Sequence, residues 1–337
     1  MLHVNLNENS YDIIIEKDCL NKVDTYLNLN RKVLILTDSN IPSSYIETLK
    51  SKCLNSFVYT IKAGEDSKSL IEYENILKVM IENNFNRKDV LVSLGGGVVG
   101  DLGGFCAASY MRGIDFYNIP TTTLSMIDSS IGGKTAVNFH GYKNIIGAFY
   151  QPKKVLIDIN LLNSLDARQF NSGIVEAIKM AATFNEDLFS FIENNNIKDN
   201  IEYIITESLK IKKDVVEKDE KETGLRKVLN YGHTIGHGIE VVSGKLYHGE
   251  AVALGTLCLC SEDIKARLIN IYKQLNIEPT IKLDKEKVLE AISHDKKANK
   301  DNITCIVVNK IGSYEMINYT LDELKERVNE VVLWEIH

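Results

Sequence analysis

The stretch Val90-Leu-Val-Ser-Leu-Gly-Gly-Gly-Val-Val-Gly-Asp-Leu-Gly-Gly104 decides the fold of the first half of this chain. An apolar run typical of a buried strand enters a glycine-rich turn, and a helical pattern follows it. Glycines at such a turn let backbone amides approach a pyrophosphate, and the string contains G-x-G-x-x-G. Close packing of the helix on a sheet explains the same glycines, and Pro120 stands where a ribose-binding acid is expected. Both interpretations therefore stay open.

Short β-branched or aromatic runs on both sides of this stretch alternate with helical patterns. The runs cover 13–16, 32–37, 57–61, 116–119 and 155–159, and the helical patterns cover 43–54 and 67–83. This alternation predicts an α/β, Rossmann-like domain with a parallel sheet, helices on both faces, and ligands at the carboxyl ends of the strands. Asp38 and Asn40 follow one such strand, where a ribose contact and a simple turn or helix cap are both expected.

The second half of the chain has a different texture. Helical spacing covers 166–184, 197–218, 225–243 and 248–269, and only 303–308 and, weakly, 314–318 have the pattern of strands. We therefore expect a mainly α-helical C-terminal domain. The predicted domains are 1–151 and 152–337, without a low-complexity linker and with a cleft between them.

Composition excludes several classes of protein. The chain has 337 residues, 44% of them hydrophobic, which suffices for two cores, and its net charge of -7 argues against a nucleic-acid partner. The N-terminus lacks the features of a signal peptide, and the longest apolar stretch, 251–260, is half of a membrane span. Six cysteines without a C-x-x-C pair favour reduced thiols. We expect a cytoplasmic protein with no membrane partner.

Residues 120–138 form the most unusual stretch of the chain. Hydroxyl groups, Asp128, two glycines and Lys134 lie in a segment with little surface character, and Lys143 and Asn144 follow shortly after it. Polar groups that are neither solvated nor used are costly to bury. The pattern favours a phosphate-binding or catalytic loop over a plain turn.

Four polar residues in the second half share the spacing of one helical face. Arg226, Asn230, His233 and His237 are separated by 4, 3 and 4 residues. An H-x-x-x-H pair can bind a metal, although it is more often structural. The glycines around these histidines weaken a helix, which is easier to explain if the backbone must approach another element.

Glu176 and Lys179 interrupt another apolar helical segment, and His248 precedes a third. Each of the two charged groups is therefore either paired inside the protein or used. Glu176, His233 and His248 would form a two-histidine, one-carboxylate site with an open position, as in a catalytic zinc centre. Spacing alone does not select these three.

Several strings, in the same order along residues 38–297, resemble one known family. They are 95–105, 120–138, Gly141-Tyr-Lys-Asn-Ile-Ile-Gly147, Ser172-Gly-Ile-Val-Glu-Ala-Ile-Lys179, Asp219-Glu-Lys-Glu-Thr-Gly-Leu-Arg226, Leu229-Asn-Tyr-Gly-His-Thr-Ile-Gly-His237 and His248-Gly-Glu250. The chain is similar to the 3-dehydroquinate synthases of the sugar phosphate cyclase superfamily. Ser164-Leu-Asp166 departs from the family's Thr-Leu-Pro, and Ala136 stands where glycine is usual.

The resemblance implies a carbon–oxygen lyase of the shikimate pathway, which supplies aromatic amino acid biosynthesis. The implied substrate is 3-deoxy-D-arabino-heptulosonate 7-phosphate, a sugar-acid phosphate, and the products are 3-dehydroquinate and phosphate. The implied reaction proceeds by transient oxidation with NAD, β-elimination of phosphate, re-reduction, ring opening and aldol closure. NAD and one divalent metal, zinc or cobalt, are the implied cofactors.

The resemblance also implies roles for individual residues. Glu176, His233 and His248 would hold the metal, Lys212 and Arg226 the substrate carboxylate, and Lys179 would line the site. His237 and Asp128 occupy positions implicated in proton handling. The implied phosphate ligands are Lys134, Lys143, Asn144, Asn230 and Lys296, with Lys297 as the alternative to Lys296. The implied NAD contacts are Asp38, Asn40, Glu65, Lys68, Gly95, Gly96, Gly97, Asp101, Thr121, Thr122, Asp128, Ser129, Lys134, Lys143, Leu161 and Ser164. Arg112 matches a residue that reaches the neighbouring subunit's site, which implies a homodimer.

Two other enzyme classes are compatible with a two-domain plan and a metal site. A metal-dependent polyol dehydrogenase has no reason to gather Lys134, Lys143 and Arg226 for a phosphate and a carboxylate. Another sugar-phosphate cyclase would keep the NAD and metal sites and change only carboxylate recognition. An inactive NAD-binding module is disfavoured because every proposed catalytic position is retained.

Overall fold

The computed structural model describes residues 1–294 and 302–333. The chain forms two compact units: unit 1 comprises Met1–Asp166 with Lys212–Lys221, and unit 2 comprises Ala167–Ile211 with Glu222–His337. The division differs from the sequence-based boundary at residue 151, which would place Lys154–Ile157 in the second domain. That strand pairs in parallel with strands of unit 1, so backbone hydrogen bonding keeps it in the first.

Unit 1 contains a seven-stranded sheet and a separate hairpin. Its strands are β1 (Leu2–Val4), β2 (Tyr11–Ile15), β3 (Lys32–Asp38), β4 (Asn55–Ile61), β5 (Val90–Gly95), β6 (Asp115–Pro120), β7 (Lys134–Phe139), β8 (Tyr142–Phe149) and β9 (Lys154–Ile157). The sheet order is β1-β2-β9-β6-β5-β3-β4, and every pair is parallel except β1 with β2. The six strand runs predicted from sequence are confirmed, and the short edge strand β1 was missed.

Helices connect these strands and cover the sheet. They are α1 (Val23–Tyr26), α2 (Ser43–Ser51), α3 (Leu70–Glu82) and α4 (Gly97–Ser109). Strand β5 is buried along its whole length, and Leu34, Leu91 and Leu102 contribute to a core in which α4 packs against the sheet. A strand buried on both faces is continuously apolar, which is why Val90–Leu94 could be recognised as one.

The segment after residue 133 was expected to be a loop, but it forms the antiparallel hairpin β7–β8. Thr135, Ala136 and Val137 are buried, and Val137 belongs to the same core as α4. The strand pattern was masked because Lys143, Asn144 and most of β8 are exposed. The hairpin gives the polar residues of this stretch a defined backbone.

Unit 2 is mainly helical. Its helices are α5 (Ala167–Phe184), α6 (Glu186–Asn194), α7 (Ile201–Lys218, whose last residues belong to unit 1), α8 (His233–Ser243), α9 (His248–Leu257), α10 (Glu262–Gln274), α11 (Lys285–His294) and α12 (Leu321–Val328). Its short strands are β10 (Ile281–Lys282), β11 (Ile303–Val307), β12 (Glu315–Tyr319) and β13 (Val332–Leu333). The two extended segments predicted in this half are confirmed as the antiparallel pair β11–β12.

Two long helices predicted in unit 2 are interrupted. The pattern over 225–243 is broken at Gly232, whose φ of 78° is left-handed, so α8 begins only at His233. The pattern over 248–269 stops at Leu257, because Leu259 and Ser261 exchange backbone hydrogen bonds with Val308. Close packing of Gly232 on α9 at the first break, and hydrogen bonding to Val308 at the second, therefore override helical spacing.

None of the helices in the described ranges is both long and apolar enough to cross a membrane. None of the six cysteines, all of which lie in the described ranges, forms a disulfide, and five of them are buried.

Candidate functional site

The glycine-rich turn of unit 1 lies where three neighbouring strands end. In the sheet, β5 stands between β6 and β3, so residues 38–40, 95–97 and 121–122, here called the nucleotide edge, follow adjacent carboxyl ends. The chain runs from β3 outward to β4 and then returns to β5 on the other side of β3. This reversal is the topological switch point at which open α/β sheets bind ligands.

The glycines of this turn serve two different purposes. A Cβ on Gly103 would stand 2.1 Å from the Ser93 hydroxyl, and one on Gly104 would stand 2.4 Å from a methyl of Thr135, so both permit close packing of α4. A Cβ on Gly97 would only reach the Ser129 hydroxyl, at 3.1 Å. The packing explanation is thus correct for the later glycines and also holds for Gly95, whose Cβ would stand 2.6 Å from Val99, but it leaves Gly97, in the first turn of α4, for a ligand.

The start of α4 has the character of an anion site. Gly96 is the residue before α4, and no side chain in the described residues caps the backbone amides at the start of this helix. Nearby, the buried hydroxyls of Thr121 and Ser129 have no hydrogen-bond partner within the same described residues. Uncapped amides favour anions, and buried hydroxyls without partners are costly. These groups fit a dinucleotide whose pyrophosphate lies at the helix end.

Lys68 is held near the hairpin by two side chains. Its buried ammonium pairs with Asp101 on α4 and donates to the amide oxygen of Asn144. Burial raises the pKa of Asp101 even though Lys68 opposes it. Asn138 on β7 extends this set, since it donates to Glu65 at 2.8 Å and accepts from the backbone N–H of Asn144 at 2.9 Å. Residues far apart in sequence thus form one polar group.

Asp128 and Lys212 form a second ion pair of unit 1. Asp128 lies on a short π-helical turn, Ser125–Ser129, and its carboxylate accepts from Lys212 at 2.7 Å, while its carbonyl accepts from the same ammonium. Lys212 is almost completely buried, whereas Lys134 and Lys143 are exposed. Thr122 and Ser125 share a hydroxyl hydrogen bond of 2.8 Å at the start of this segment.

Other predicted residues of unit 1 lie elsewhere or have local roles. The Asp38 carboxylate accepts from the backbone N–H of Asn40 at 2.8 Å, which is the turn expected as an alternative to ligand contact. Leu161 and Ser164 belong to a 3₁₀ turn after β9, two strands from β5. Arg112 follows α4 at the opposite edge of the sheet and is exposed, with a left-handed φ of 68°. It is not brought to the nucleotide edge.

Three helices of unit 2 bring Glu176, His233, His237 and His248 together, and we call these four residues the metal cluster. One oxygen of Glu176 lies 3.7 Å from Nε2 of His233 and 3.5 Å from Nε2 of His248. The imidazole of His237 lies beside the other two, with its ring centroid 5.2 Å from that of His233 and 5.6 Å from that of His248. One ligand atom from each of the three histidines lies within 4.8 Å of the others.

Glycines make this meeting of helices possible. A Cβ on Gly249 would stand 1.8 Å from the Ser172 carbonyl oxygen on α5, and the N–H of Gly249 donates to the Ser172 hydroxyl at 3.0 Å. A Cβ on Gly236 would stand 2.9 Å from the carbonyl oxygen of Ala251 on α9. The glycines around the histidines weaken their helix, and the close approach of neighbouring backbones explains why they are present.

The metal cluster fits a divalent cation. Two donor atoms on one metal stand about 3.4 Å apart when bonds of about 2.1 Å point to the corners of a tetrahedron. Glu176 is fully buried, and within the described residues neither of its carboxylate oxygens accepts a hydrogen bond of ordinary geometry. The Lys179 ammonium offsets part of the cost of burying this carboxylate, and a cation between it and the histidines would offset more of it.

Charges around the metal cluster adjust its protonation. Burial opposes ionisation of Glu176, but the ammonium of Lys179 and the neighbouring imidazoles hold its pKa well below the usual range. Burial, reinforced by Lys179, holds the pKa of His233 well below its usual value. Burial opposes protonation of His248 as well, yet the neighbouring carboxylates of Glu176 and Glu240 raise its pKa to about 9. Lys179, itself buried, pairs with Glu176 and donates to the Leu229 carbonyl.

The single helical face predicted for Arg226, Asn230, His233 and His237 is wrong for its first two members. Arg226 and Asn230 lie on a 3₁₀ turn, Leu225–Asn230, before the break at Gly232. Arg226 is buried, and Asn230 is exposed and donates to Glu222 at 2.7 Å. Lys296 and Lys297 lie outside the described residues.

Sequence reasoning missed Glu240, whose carboxylate lies 3.0 Å from Nδ1 of His248. Glu240 follows His233 by seven residues, two helical turns along α8, and that spacing was the only available signal.

Comparisons with known proteins cover nearly the whole chain. A family model described as 3-dehydroquinate synthase N-terminal matches residues 58–172, and one described as 3-dehydroquinate synthase C-terminal matches residues 173–298. A 3-dehydroquinate synthase of Crocosphaera subtropica is 38% identical, covering 98% of this chain and 99% of the relative. One of Clostridium acetobutylicum is 41% identical, covering 92% and 94%.

A solved structure has the same fold. The crystal structure of 2-deoxy-scyllo-inosose synthase complexed with carbaglucose-6-phosphate, NAD+ and Co2+ superimposes with a TM-score of 0.89 at 25% sequence identity, covering 98% of this chain and 99% of that chain. The predicted Rossmann-like and helical architecture is confirmed.

Proposed function

We propose that this chain, which belongs to the 3-dehydroquinate synthase family, converts 3-deoxy-D-arabino-heptulosonate 7-phosphate into 3-dehydroquinate and phosphate. It is a carbon–oxygen lyase of the shikimate pathway. The observation that carries the proposal is the buried Glu176 carboxylate facing two imidazole nitrogens, in a chain that retains the family's cationic residues.

When bound, NAD supplies a reversible hydride acceptor and the divalent metal, zinc or cobalt, a Lewis acid for the hydroxyl group that is transiently oxidised. Glu176, His233 and His248 would hold the metal. The uncapped amides after Gly96 and the hydroxyls of Thr121 and Ser129 would hold the dinucleotide, with the charge of Lys68 nearby. The further NAD contacts proposed are Asp38, Asn40, Glu65, Gly95, Gly97, Asp101, Thr122, Asp128, Lys134, Lys143, Leu161 and Ser164.

The proposed substrate contacts are cationic or amide groups. In unit 1, Lys134, Lys143 and Asn144 would bind the phosphate, and Lys212, oriented by Asp128, would bind the carboxylate. In unit 2, Asn230 would contribute to phosphate binding, and the guanidinium of Arg226 matches the fork geometry of a carboxylate. Lys296 is proposed for the phosphate on the resemblance alone.

Proton handling is assigned to His237 and Asp128. The His237 imidazole lies against those of His233 and His248, so a proton on it is close to the proposed metal ligands. Lys179 keeps Glu176 ionised by its charge, and this keeps the carboxylate available as a ligand.

We also propose a cytoplasmic homodimer in which Arg112 reaches the neighbouring subunit. Cysteines that form no disulfide suit a reducing compartment. The exposed position of Arg112 on a turn of unusual backbone conformation is compatible with a contact to a second copy.

One incubation tests the activity. The purified protein is mixed with the heptulosonate phosphate, NAD and zinc or cobalt, and both phosphate and 3-dehydroquinate are followed. We expect the two products in equal amounts without net NADH. Phosphate release without a carbocycle, or accumulation of NADH, would contradict the proposal. Turnover of a substrate without the carboxylate, in preference to this one, would indicate another sugar-phosphate cyclase.

A further inference from the structure

The two nitrogens of the His248 ring face different carboxylates. Nε2 lies 3.5 Å from Glu176, and Nδ1 lies 3.0 Å from Oε2 of Glu240 on α8. An ionised carboxylate can only accept, so the Nδ1 of His248 carries the hydrogen of this contact. In the neutral imidazole, which is the form that binds a metal, the lone pair is then on Nε2, on the side of Glu176.

His233 has the same arrangement with a different outer partner. Its Nδ1 lies 3.2 Å from the backbone carbonyl oxygen of Tyr231, and its Nε2 lies on the side of Glu176. The carbonyl belongs to the chain just before α8 and cannot be removed by substitution. Glu240 is a side chain and can be.

We propose that Glu240 is a positioning residue for the metal, acting through His248. Its carboxylate fixes the His248 tautomer and ring orientation and makes Nε2 a stronger ligand. Outer carboxylates on metal-binding histidines have this effect, and their loss weakens metal affinity by about 10- to 100-fold. The inference rests on the metal site of the proposed function.

Several observations favour this role over a surface salt bridge. The Glu240 side chain is only 16% exposed, and it lies two helical turns from His233, on the same face of α8. The close contact of Gly236 with α9 brings together the two helices that carry Glu240 and His248. Helix packing therefore places Glu240 within reach of His248.

The test compares Glu240→Ala and Glu240→Gln with a control, Glu193→Gln, which removes a carboxylate paired with Arg267 in the same unit. Cobalt dissociation constants are measured against a competing chelator, and the visible absorption spectrum of bound cobalt is recorded. We expect Glu240→Ala to weaken cobalt binding about 10- to 100-fold and to change the spectrum. Glu240→Gln, which keeps an acceptor but no charge, should fall between it and the wild type, and the control should match the wild type.

The outcomes separate the two proposals. If the wild type binds cobalt and Glu240→Ala has the same dissociation constant and spectrum, the role of Glu240 is overturned and the metal site stands. A lower melting temperature alone, with unchanged metal binding, would show a merely structural role and also overturn it. If the wild type itself binds no metal, the metal site of the proposed function fails, and the role of Glu240 fails with it.

Discussion

The nucleotide edge of unit 1 has buried cations near it that already have partners, whereas the metal cluster of unit 2 has a buried anion that lacks ordinary hydrogen bonds. Lys68 pairs with Asp101, and Lys212 with Asp128. Glu176 has the charge of Lys179 beside it, but in the described chain its oxygens accept no hydrogen bond of normal geometry. The buried cations of unit 1 are therefore paired with carboxylates of the protein, whereas the arrangement in unit 2 fits a divalent cation.

The largest effect is expected from a substitution that disrupts the metal cluster and leaves the nucleotide edge unchanged. Glu176→Gln removes the buried negative charge, so metal binding and turnover should fall by about 1,000-fold or more, since a metal contributes several kcal/mol to such reactions. Metal content after dialysis and kcat are the measurements. NAD affinity should stay within about twofold of the wild type, and Glu207→Gln, in an exposed ion pair with Lys210, is the control. A loss of NAD binding in Glu176→Gln would contradict the separation of the two regions.

The next effect concerns the buried guanidinium of unit 2. Arg226→Ala should lower kcat/KM for the heptulosonate phosphate roughly 30- to several-thousand-fold, because the substrate carboxylate is left without its partner. This factor corresponds to a loss of about 2–5 kcal/mol of transition-state stabilisation. Steady-state kinetics are repeated with an analogue that lacks the carboxylate, which should be much less affected. An equal loss with both compounds would show that Arg226 does not recognise the carboxylate.

A smaller effect separates ligand binding from packing within the glycine-rich turn. Gly97→Ala should raise the Kd of NAD about tenfold, because the added methyl group stands at the proposed pyrophosphate site. The Tm should change little, because within the protein this Cβ meets only the Ser129 hydroxyl, at 3.1 Å. Gly104→Ala should instead cost about 1–3 kcal/mol of stability and lower the Tm, because its Cβ overlaps Thr135. Calorimetry and NAD titration measure both variants. If Gly97→Ala lowered the Tm and Gly104→Ala weakened NAD binding, the assignment of ligand binding to Gly97 and of packing to Gly104 would be wrong.

The smallest effect is a pH-dependent one at Asp38. Burial raises the pKa of this carboxyl, so the folded protein binds more protons than the unfolded one, and stability falls as pH rises from about 4 through the raised value. Asp38→Asn keeps an acceptor for Asn40 and should be more stable than wild type near neutral pH and equal to it in acid. Urea denaturation at several pH values checks this. A stability difference between Asp38→Asn and the wild type that grows towards acid pH would contradict this prediction.

The parts of the molecule that sequence predicted well are those in which neighbours in sequence are neighbours in space. Strand β5 and the turn after it are continuous in sequence, so residues 90–97 show both the strand and the glycine-rich start of α4. The hairpin β7–β8 was missed because its outer strand is exposed and carries little apolar alternation. The break at Gly232 was missed because helical spacing continues across it and only its contact with α9 reveals the left-handed turn.

The candidate metal site shows the opposite case. Glu176, His233 and His248 are separated by 57 and 15 residues, and their residue types indicate a metal site although their spacing does not select them. The resemblance to a family supplied the selection. Helix packing through Gly249 and Gly236 then placed them side by side, with Glu240 behind His248.

The sequence by itself determined the α/β character of unit 1, the helical character of unit 2, the position of the glycine-rich turn and, through its motifs, the family. Those features depend on local spacing, backbone conformation and continuous strings. Only the tertiary structure decided which glycines pack, which ion pairs form around Lys68 and Lys212, and that Glu176 lies buried beside two imidazole nitrogens. Such contacts arise from close packing between elements distant along the chain, and no local pattern encodes them.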